Sequence, residues 1–309
     1  MTTSRRFLGA AVLVLAAYWQ ALPAQAQQTG AARTAAYEAL ARAGITRHAD
    51  IRYNTLPGVD AARQSLDVYT QPALSKAPVV VFVHGGSWQQ GDKGAVASKP
   101  LAFAPAGFVT VSANYRFRPD VEIGEMARDI ATATAWVHAN IASYGGDPDR
   151  IILMGHSAGA HLAAVVGTDT RFLGEAGVPR TAIVGVVALD TGPYDVARQV
   201  SNAGDARLGS GYAKMIAMVF GNDKAKQLDV SPIHHIKAGL PPFLVVSSDN
   251  RTDAPLQAVP FVERLKAAGV AAEWYEAEGL DHGGVNADIG RGDTPLTRKV
   301  LDFLATAVR

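Results

Sequence analysis

Short apolar segments alternate with helical patterns from Ser65 to the C-terminus. The run Val79–Val83 is apolar at every position, which is typical of a parallel strand covered on both faces. The remaining strand candidates are Ser65–Tyr69, Phe108–Ala113, Ile151–Met154, Ile183–Leu189, Phe243–Ser247 and Ala272–Tyr275. The clearest helical face between them consists of Met126, Ile130, Ala133, Val137 and Ile141. This alternation predicts an α/β fold built on a mostly parallel sheet.

Residues 63–309 are predicted to form one domain, because no repeat and no linker divides the patterned region. Residues 27–62 are rich in Ala, Gln and Thr and are predicted to be an N-terminal arm with a short helix around Tyr37–Leu40. Residues 193–229 are weakly patterned and lie between two strand candidates. That position favours a small cap or an insertion that shapes a binding site.

Residues 1–26 have the pattern of an export signal. Arg5 and Arg6 are followed by the apolar run Phe7–Trp19 and by the small-residue cleavage pattern at Ala24–Ala26. The run is short for a membrane span, so we expect no stable membrane anchor after cleavage. The mature chain is predicted to begin at Gln27 and to be periplasmic or secreted. The two arginines also resemble a twin-arginine signal, which leaves the export route open.

Composition excludes several classes of function. The 309 residues contain 29 basic and 28 acidic side chains without a long run of either sign, which argues against a nucleic-acid-binding surface. Hydrophobic residues make up 48%, enough for a sizeable core. The absence of cysteine excludes disulfide bonds and thiol catalysis.

The segment Gly155–Gly159 contains a serine between two glycines. It follows an apolar strand candidate and precedes a helix-compatible stretch, so the pattern predicts a sharp strand-to-helix turn that exposes the Ser157 hydroxyl. An ordinary tight turn with a capping serine would produce the same short motif. Its context favours a nucleophile.

A second glycine-containing loop, His84–Trp88, directly follows the strand candidate that ends at Val83. Backbone N–H groups in such a loop can approach a carbonyl oxygen on which negative charge develops. The predicted donors of this oxyanion hole are Gly86, Ser87 and Ala158. An ordinary β-turn with a structural tryptophan is the less favoured interpretation.

The base that would activate Ser157 is predicted to be His282. In this class of fold the histidine follows both the serine and the acid in the chain, and His282 follows the last strand candidate. His234 and His235 precede a strand and are better interpreted as a helix start. A metal site there is disfavoured, because adjacent histidines point in different directions and no Cys or Asp cluster accompanies them.

The acid that would orient His282 is expected in the loop after Phe243–Ser247. Asp249 is the preferred candidate, with Asp253 as the alternative that could instead start the next helix. Asp281 is interpreted as a turn former, and Asp190 stays a lesser candidate after an earlier strand.

Together, His84–Trp88 and Gly155–His161 resemble the α/β-hydrolase superfamily, specifically its HGG-type carboxylesterases and lipases. The resemblance extends from about Leu66 to the C-terminus and includes Asn114–Arg116 and Tyr144–Arg150. It implies an eight-stranded sheet, a triad of Ser157, an acid and His282, and the oxyanion hole named above. The loop has two glycines followed by Ser-Trp, which favours the small-esterase or kynurenine-formamidase-like branch over the hormone-sensitive-lipase-like one. The segment Ser247–Asp253 does not match the usual acid pattern.

These patterns predict two-step acyl transfer on a small-molecule ester with short-chain or aryl groups, without a cofactor or metal. An arylformamidase or an exported esterase acting on plant-wall or polyester substrates would use the same machinery. A non-catalytic binding protein is disfavoured, because every residue type that the triad needs is present. The physiological substrate and the oligomeric state stay open.

Overall fold

The computed structural model describes residues 34–202, 210–251 and 253–309, and the side chains of residues 210 and 211 are also left undescribed. The chain divides into two compact units, Met1–Ala43 and Gly44–Arg309. In the first, residues 34–42 form a helix (α1), which agrees with the short helix expected around Tyr37–Leu40. The predicted export signal, residues 1–26, lies outside the described residues.

The second unit contains one eight-stranded sheet with the order β1-β2-β4-β3-β5-β6-β7-β8. Its strands are β1 Thr46–Arg52, β2 Ser65–Thr70, β3 Ala77–Val83, β4 Val109–Ala113, β5 Gly146–His156, β6 Ile183–Leu189, β7 Phe243–Ser248 and β8 Ala272–Ala277. β2 pairs antiparallel with β1 and β4, and all other pairs are parallel. The predicted fold class, a mostly parallel sheet flanked by helices, is confirmed.

The helices of this unit connect the parallel strands or cover their carboxyl ends. They are α2 Lys99–Phe103, α3 Ile123–Asn140, α4 Ala158–Thr168, α5 Thr170–Glu175, α6 Val196–Ser201, α7 Ser210–Phe220, α8 Lys224–Asp229, α9 Asp253–Ala267, α10 His282–Asp288 and α11 Pro295–Ala307. In the described part of the chain, no helix combines the length and the apolar character that a membrane crossing needs. The insertion expected at residues 193–229 contains α6, α7 and α8.

Strand β1 lies within the residues that the sequence assigned to the N-terminal arm. Its side chains are mostly exposed, so it lacks the apolar pattern by which the other strands were predicted. Pairing with β2 holds it in place, and Arg47 on β1 forms an ion pair with the buried carboxylate of Asp67. The sheet therefore begins earlier in the chain than predicted.

The core is formed where β3 and β5 pair and α3 and α4 pack. Every residue of Val79–Val83 is inaccessible to solvent, as the uniformly apolar run predicted. The five residues of the predicted helical face, Met126 to Ile141, are all buried as well, and α4 is buried along its whole length. This burial fixes the turn between β5 and α4, which carries Ser157.

Both glycines of the Gly155–Gly159 motif are required by close packing. A Cβ atom on Gly159 would lie 2.1 Å from the Val83 carbonyl oxygen, and one on Gly155 would lie 2.2 Å from the Gly159 carbonyl oxygen. Because these neighbours are backbone atoms of the buried β3 and α4, they cannot move aside cheaply. Helix α4 can therefore approach β3 and β5 only where side chains are missing.

We predict that Gly159→Ala lowers the free energy of unfolding by about 2–3 kcal/mol, because the added methyl group pushes α4 away from β3. Gly174→Ala on α5 is the matched control: its Cβ would meet no atom within 4 Å, so this variant should change stability by less than about 1 kcal/mol. Urea denaturation followed by circular dichroism measures both. Equal stability of the two variants would contradict the close approach.

Candidate active site

Ser157 occupies the sharp turn between β5, which ends at His156, and α4, which begins at Ala158. Its φ angle is +56°, a left-handed conformation that is unusual for a residue with a side chain. The Ser157 N–H donates to the Leu189 carbonyl oxygen at 2.9 Å, which ties the turn to the neighbouring strand β6. Such a strained, tethered turn presents the hydroxyl above the carboxyl edge of the sheet.

His282 is the first residue of α10, and the structure brings it to Ser157. Its Nε2 lies 3.0 Å from the Ser157 Oγ, within hydrogen-bond distance. Asp281 precedes it as the N-cap of α10 and accepts a hydrogen bond from the Gly284 N–H at 2.6 Å. Asp281 is thus a turn former, as its sequence position suggested, and its cap helps to fix the start of the helix that carries His282.

The carboxylate that meets His282 belongs to Asp190, which directly follows β6. Its Oδ2 lies 2.6 Å from His282 Nδ1, and the carboxylate is fully buried. Asp190 also accepts hydrogen bonds from the Ser248 N–H and hydroxyl, each at 3.0 Å. The Asp190 backbone has a φ angle of +51°, and its N–H donates to the Val246 carbonyl oxygen. The end of β7 therefore holds both the backbone and the side chain of Asp190.

The prediction that Asp249 contacts His282 is wrong. The Asp249 carboxylate instead accepts a hydrogen bond from the Gly279 N–H in the turn after β8, and it is exposed to solvent. The alternative, Asp253, begins α9 and pairs with Arg251. β6 and β7 are adjacent and parallel, so an aspartate at the end of either strand reaches the same edge of the sheet, and here it is the end of β6 that faces the histidine.

Burial alone would raise the pKa of Asp190, because it penalises the charged form. The hydrogen bond with His282, the positive charge of Arg251 and the Ser248 N–H outweigh this cost and hold the pKa well below its usual range. Asp190 is therefore an anion at neutral pH, so His282 Nδ1 carries the proton and donates it to the carboxylate. That leaves Nε2 free to accept the Ser157 proton.

A second histidine supports the first. The His156 ring packs against the His282 ring with centroids 4.6 Å apart, and His156 Nε2 donates to the His282 carbonyl oxygen at 2.8 Å. Burial, followed by the neighbouring His282, lowers the pKa of His156 to about 3. His156 therefore stays neutral and can hold the His282 backbone without adding charge to the site.

Helix α10 is also held by a buried lysine that the sequence did not single out. Lys99, at the start of α2, donates from Nζ to the backbone and side-chain oxygens of Asn286, both at 2.7 Å. It is fully buried, and this desolvation lowers its pKa to about 7. A Cβ on Gly290 would lie 2.1 Å from the Ser98 carbonyl oxygen, so the turn that follows α10 packs directly onto this segment.

The glycine-containing loop faces Ser157 as predicted. A Cβ on Gly85 would lie 2.9 Å from the Ser157 Cβ, so the loop can approach the serine only because this position is glycine. Gly86, Ser87 and Trp88 all have positive φ angles, of +125°, +53° and +60°. With Gly85 against the serine, this backbone places Ser87 in the lining of the same cavity as Ser157.

Aromatic side chains that contact the glycine-containing loop hold it in place. The Tyr115 hydroxyl donates to the His84 carbonyl oxygen at 3.0 Å, and the two rings stack with centroids 4.5 Å apart. Burial lowers the pKa of His84 to about 4, which keeps this ring neutral. Trp88 Nε1 donates to His161 Nδ1 at 3.3 Å, while His161 Nε2 donates to the Val230 carbonyl oxygen. The motif residues His84, Tyr115 and His161 thus support the loop.

A cavity of about 350 Å³ opens at these groups. It is lined by Ser87, Trp88, Ser157, Asp190, Thr191, Gly192, Tyr212, Met215, Arg251, Asp253 and His282. Tyr212 and Met215 come from α7, so the predicted insertion does shape the cavity. No motif marks Thr191, Gly192, Tyr212, Met215 or Arg251, so the sequence does not predict them as parts of the site.

The other two histidine candidates lie elsewhere. His234 and His235 form part of a short 3₁₀ helix, Pro232–His235, outside the cavity lining. His235 Nε2 donates to the Asp229 carbonyl oxygen at 2.8 Å.

Comparison with known proteins places this geometry in context. A family model described as BD-FAE matches residues 66–264. Among curated relatives, the probable carboxylic ester hydrolase LipM of Mycobacterium tuberculosis is 34% identical over 250 residues, which cover 78% of this chain and 54% of LipM. The chain thus spans little more than half the length of this relative.

Two solved structures are similar over most of the chain. The butyrate-bound esterase 2 of Thermogutta terrifontis has a TM-score of 0.63 and 27% identity, covering 85% of this chain and 92% of that one. The inhibited esterase B from Lactobacillus rhamnosis has a TM-score of 0.68 and covers 94% of this chain and 97% of that one. Its 22% identity supports the fold alone.

We predict that Asp190→Asn slows covalent labelling of Ser157 by a fluorophosphonate about 10³- to 10⁴-fold, because the amide no longer fixes the His282 tautomer or balances its charge. Asp249→Asn is the matched control and should change the rate by no more than about twofold. Time-resolved intact-mass spectrometry measures both rates. A slow Asp249→Asn variant beside a fast Asp190→Asn variant would reverse the assignment.

Proposed function

Since this chain belongs to the BD-FAE family of α/β-hydrolase esterases, we propose that it is a serine carboxylesterase that hydrolyses short-chain or aryl esters through an acyl-enzyme on Ser157. The observation that carries the proposal is the continuous contact from Ser157 Oγ through His282 to the buried Asp190 carboxylate at the edge of a cavity. The esterase relatives support the same reaction class.

In the first step, Ser157 Oγ attacks the ester carbonyl carbon while His282 Nε2 takes the hydroxyl proton. The imidazolium that forms is stabilised by Asp190, which stays ionised throughout. The C–O bond to the alcohol then breaks, and His282 returns the proton to the leaving oxygen. The acyl group remains bonded to Ser157.

The tetrahedral oxyanion is proposed to be bound by the backbone N–H groups of Gly86, Ser87 and Ala158. Two features of the fold support this assignment: the strained loop lies against the serine, and Ala158 is the first residue of the fully buried helix α4. N–H groups at a helix start have no intrahelical acceptor and lie at the positive end of its dipole. Such donors typically contribute about 10²- to 10³-fold each to turnover.

In the second step, a water molecule takes the place of the alcohol. His282 removes its proton as the oxygen attacks the acyl carbonyl carbon, and the same proton then restores the Ser157 hydroxyl as the carboxylic acid leaves. One histidine thus acts as base and acid in turn. Apart from the ester and this water, every reacting group in the proposed cycle belongs to the chain.

The size of the cavity supports small substrates. A volume of about 350 Å³ is near the lower end of the usual range of about 300–1,000 Å³ for ligand pockets. Tyr212 and Met215 on α7 close one side of it. The similar esterase of T. terrifontis has been solved with butyrate and with propionate bound, which supports a short acyl group here as well.

We also propose that the protein is exported to the periplasm or beyond, on the strength of the N-terminal pattern in residues 1–26. The mature chain isolated from the periplasm or the medium is expected to begin at Gln27. N-terminal sequencing tests this, and an intact Met1 on cell-associated protein would contradict it.

We predict that the mature protein hydrolyses p-nitrophenyl esters with a maximum of kcat/KM at short acyl chains in a series from acetate to palmitate. Ser157→Ala should lower kcat by about 10⁴- to 10⁶-fold, since the nucleophile is lost. Ser143→Ala, which removes an exposed hydroxyl that bonds only locally to Asn140, is the matched control and should retain full activity.

N-Formylkynurenine belongs in the same panel. A higher kcat/KM for this formamide than for any ester would replace the esterase proposal with an arylformamidase. Equal ester hydrolysis by Ser157→Ala and the unmodified protein would contradict the role of Ser157 itself.

A further inference from the structure

The loop after β7, where the sequence predicted an acid, brings a cation to His282 instead. Arg251 Nη1 lies 3.2 Å from His282 Nδ1 and 3.4 Å from Asp190 Oδ2. The same nitrogen lies 3.3 Å from the Asp190 carbonyl oxygen. Only 17% of the Arg251 side chain is exposed, so its charge acts on the pair with little solvent screening.

Other side chains hold this guanidinium in place. Asp253 binds it with both carboxylate oxygens, one to Nε at 3.0 Å and the other to Nη2. The Tyr212 ring covers it, with the guanidinium carbon 5.3 Å from the ring centroid. A two-point carboxylate contact and an aromatic face together fix the plane of an arginine, which a lysine could not reproduce.

The contact between Arg251 and His282 is electrostatic and not a hydrogen bond, because both nitrogens carry protons. Nδ1 donates to Asp190, so it has no lone pair to offer to the Nη1 protons. Arg251 therefore attracts the Asp190 carboxylate and at the same time repels an additional proton on the imidazole. Asp190, in contrast, attracts an additional proton on the imidazole. The two charges therefore have opposite effects on the protonation of His282.

We infer that Arg251 is a positioning residue: clamped by Asp253, it fixes the Asp190 carboxylate toward His282 and limits protonation of the free enzyme's imidazole, which keeps the base available at lower pH. The inference rests on the proposed role of His282 as a base. It also explains why Ser247–Asp253 departs from the usual acid pattern: with Asp190 supplying the acid, this loop supplies its counter-ion.

The remaining titratable groups around the pair do not supply another cation in contact with it. They are His156 against the His282 ring, Lys99 behind His156, Tyr194 and Tyr212 near Asp190, and Asp253 on α9. Burial keeps His156 neutral, and it also raises the pKa of Tyr212 to about 12, so neither changes charge near neutral pH. Burial lowers the pKa of Lys99 to about 7, but Lys99 is present in every variant compared.

The test is the pH dependence of fluorophosphonate labelling of Ser157, measured for the unmodified protein, Arg251→Met, Arg251→Gln and Arg251→Lys. Labelling needs the unprotonated base, so its rate falls as the pH drops. Without the cation, the imidazolium is favoured, and the midpoint of this fall should move up by about one pH unit in the Met and Gln variants. Arg251→Lys keeps the charge, so the midpoint of this variant should lie close to that of the unmodified protein.

Arg171→Met is the matched control, because Arg171 forms the same two-point pair with an aspartate two residues away, outside the cavity lining. Its midpoint should equal that of the unmodified protein. Urea denaturation of each variant separates a loss of stability from a shift of the midpoint. Either neutral variant alone suffices if the other does not fold.

An unchanged midpoint in a folded neutral variant would overturn the inference and leave Arg251 as a packing residue. Because labelling requires no ester substrate, this result is independent of the substrate panel. A protein that labels at Ser157 but hydrolyses no ester would disprove the proposed function and still report on Arg251.

Discussion

The hydrogen bond between the buried Asp190 carboxylate and His282 Nδ1 is the contact on which the site depends. Asp190 follows β6 and is itself held by Ser248 at the end of β7, so this contact ties His282 to the ends of two adjacent strands. It also determines which nitrogen of His282 carries the proton, and so whether Nε2 can accept one from Ser157. A buried anion is costly unless it is paired and hydrogen-bonded. The partners that stabilise Asp190 are His282, Ser248 and Arg251, and the same contacts hold the site together.

The groups around this contact are divided between neutral histidines and a few charged side chains. His84, His156 and His161 are buried with lowered pKa values, so they act as neutral hydrogen-bonding groups that hold the glycine loop, the His282 backbone and Trp88. Full charges in the cavity lining are confined to Asp190, Arg251 and Asp253, which sum to one negative charge. In the proposed reaction the imidazolium on His282 forms together with the substrate oxyanion, so the net charge of the site stays the same, and Asp190 balances the new imidazolium.

Much of this architecture could be predicted from the sequence, because local patterns encode it. Short β-rich runs predicted seven of the eight strands, and glycines at 155 and 159 predicted a turn that proves to need them for close packing. Strand β1 was missed because its exposed side chains carry no apolar pattern. The acid was misassigned because Asp190 and Asp249 both follow strands that end at one edge, and only the β6–β7 register, which pairs Leu189 with Val246, puts Asp190 beside Ser248.

The most direct test of the central contact is proton NMR of the His282 Nδ1–H in the resting protein. A proton in a short, buried hydrogen bond to a carboxylate is strongly deshielded and exchanges slowly enough to observe. The account predicts such a downfield resonance in the unmodified protein and in Asp249→Asn, and its loss in Asp190→Asn. A resonance that survives in Asp190→Asn and disappears in Asp249→Asn would show that the acid comes from the end of β7, contrary to this account.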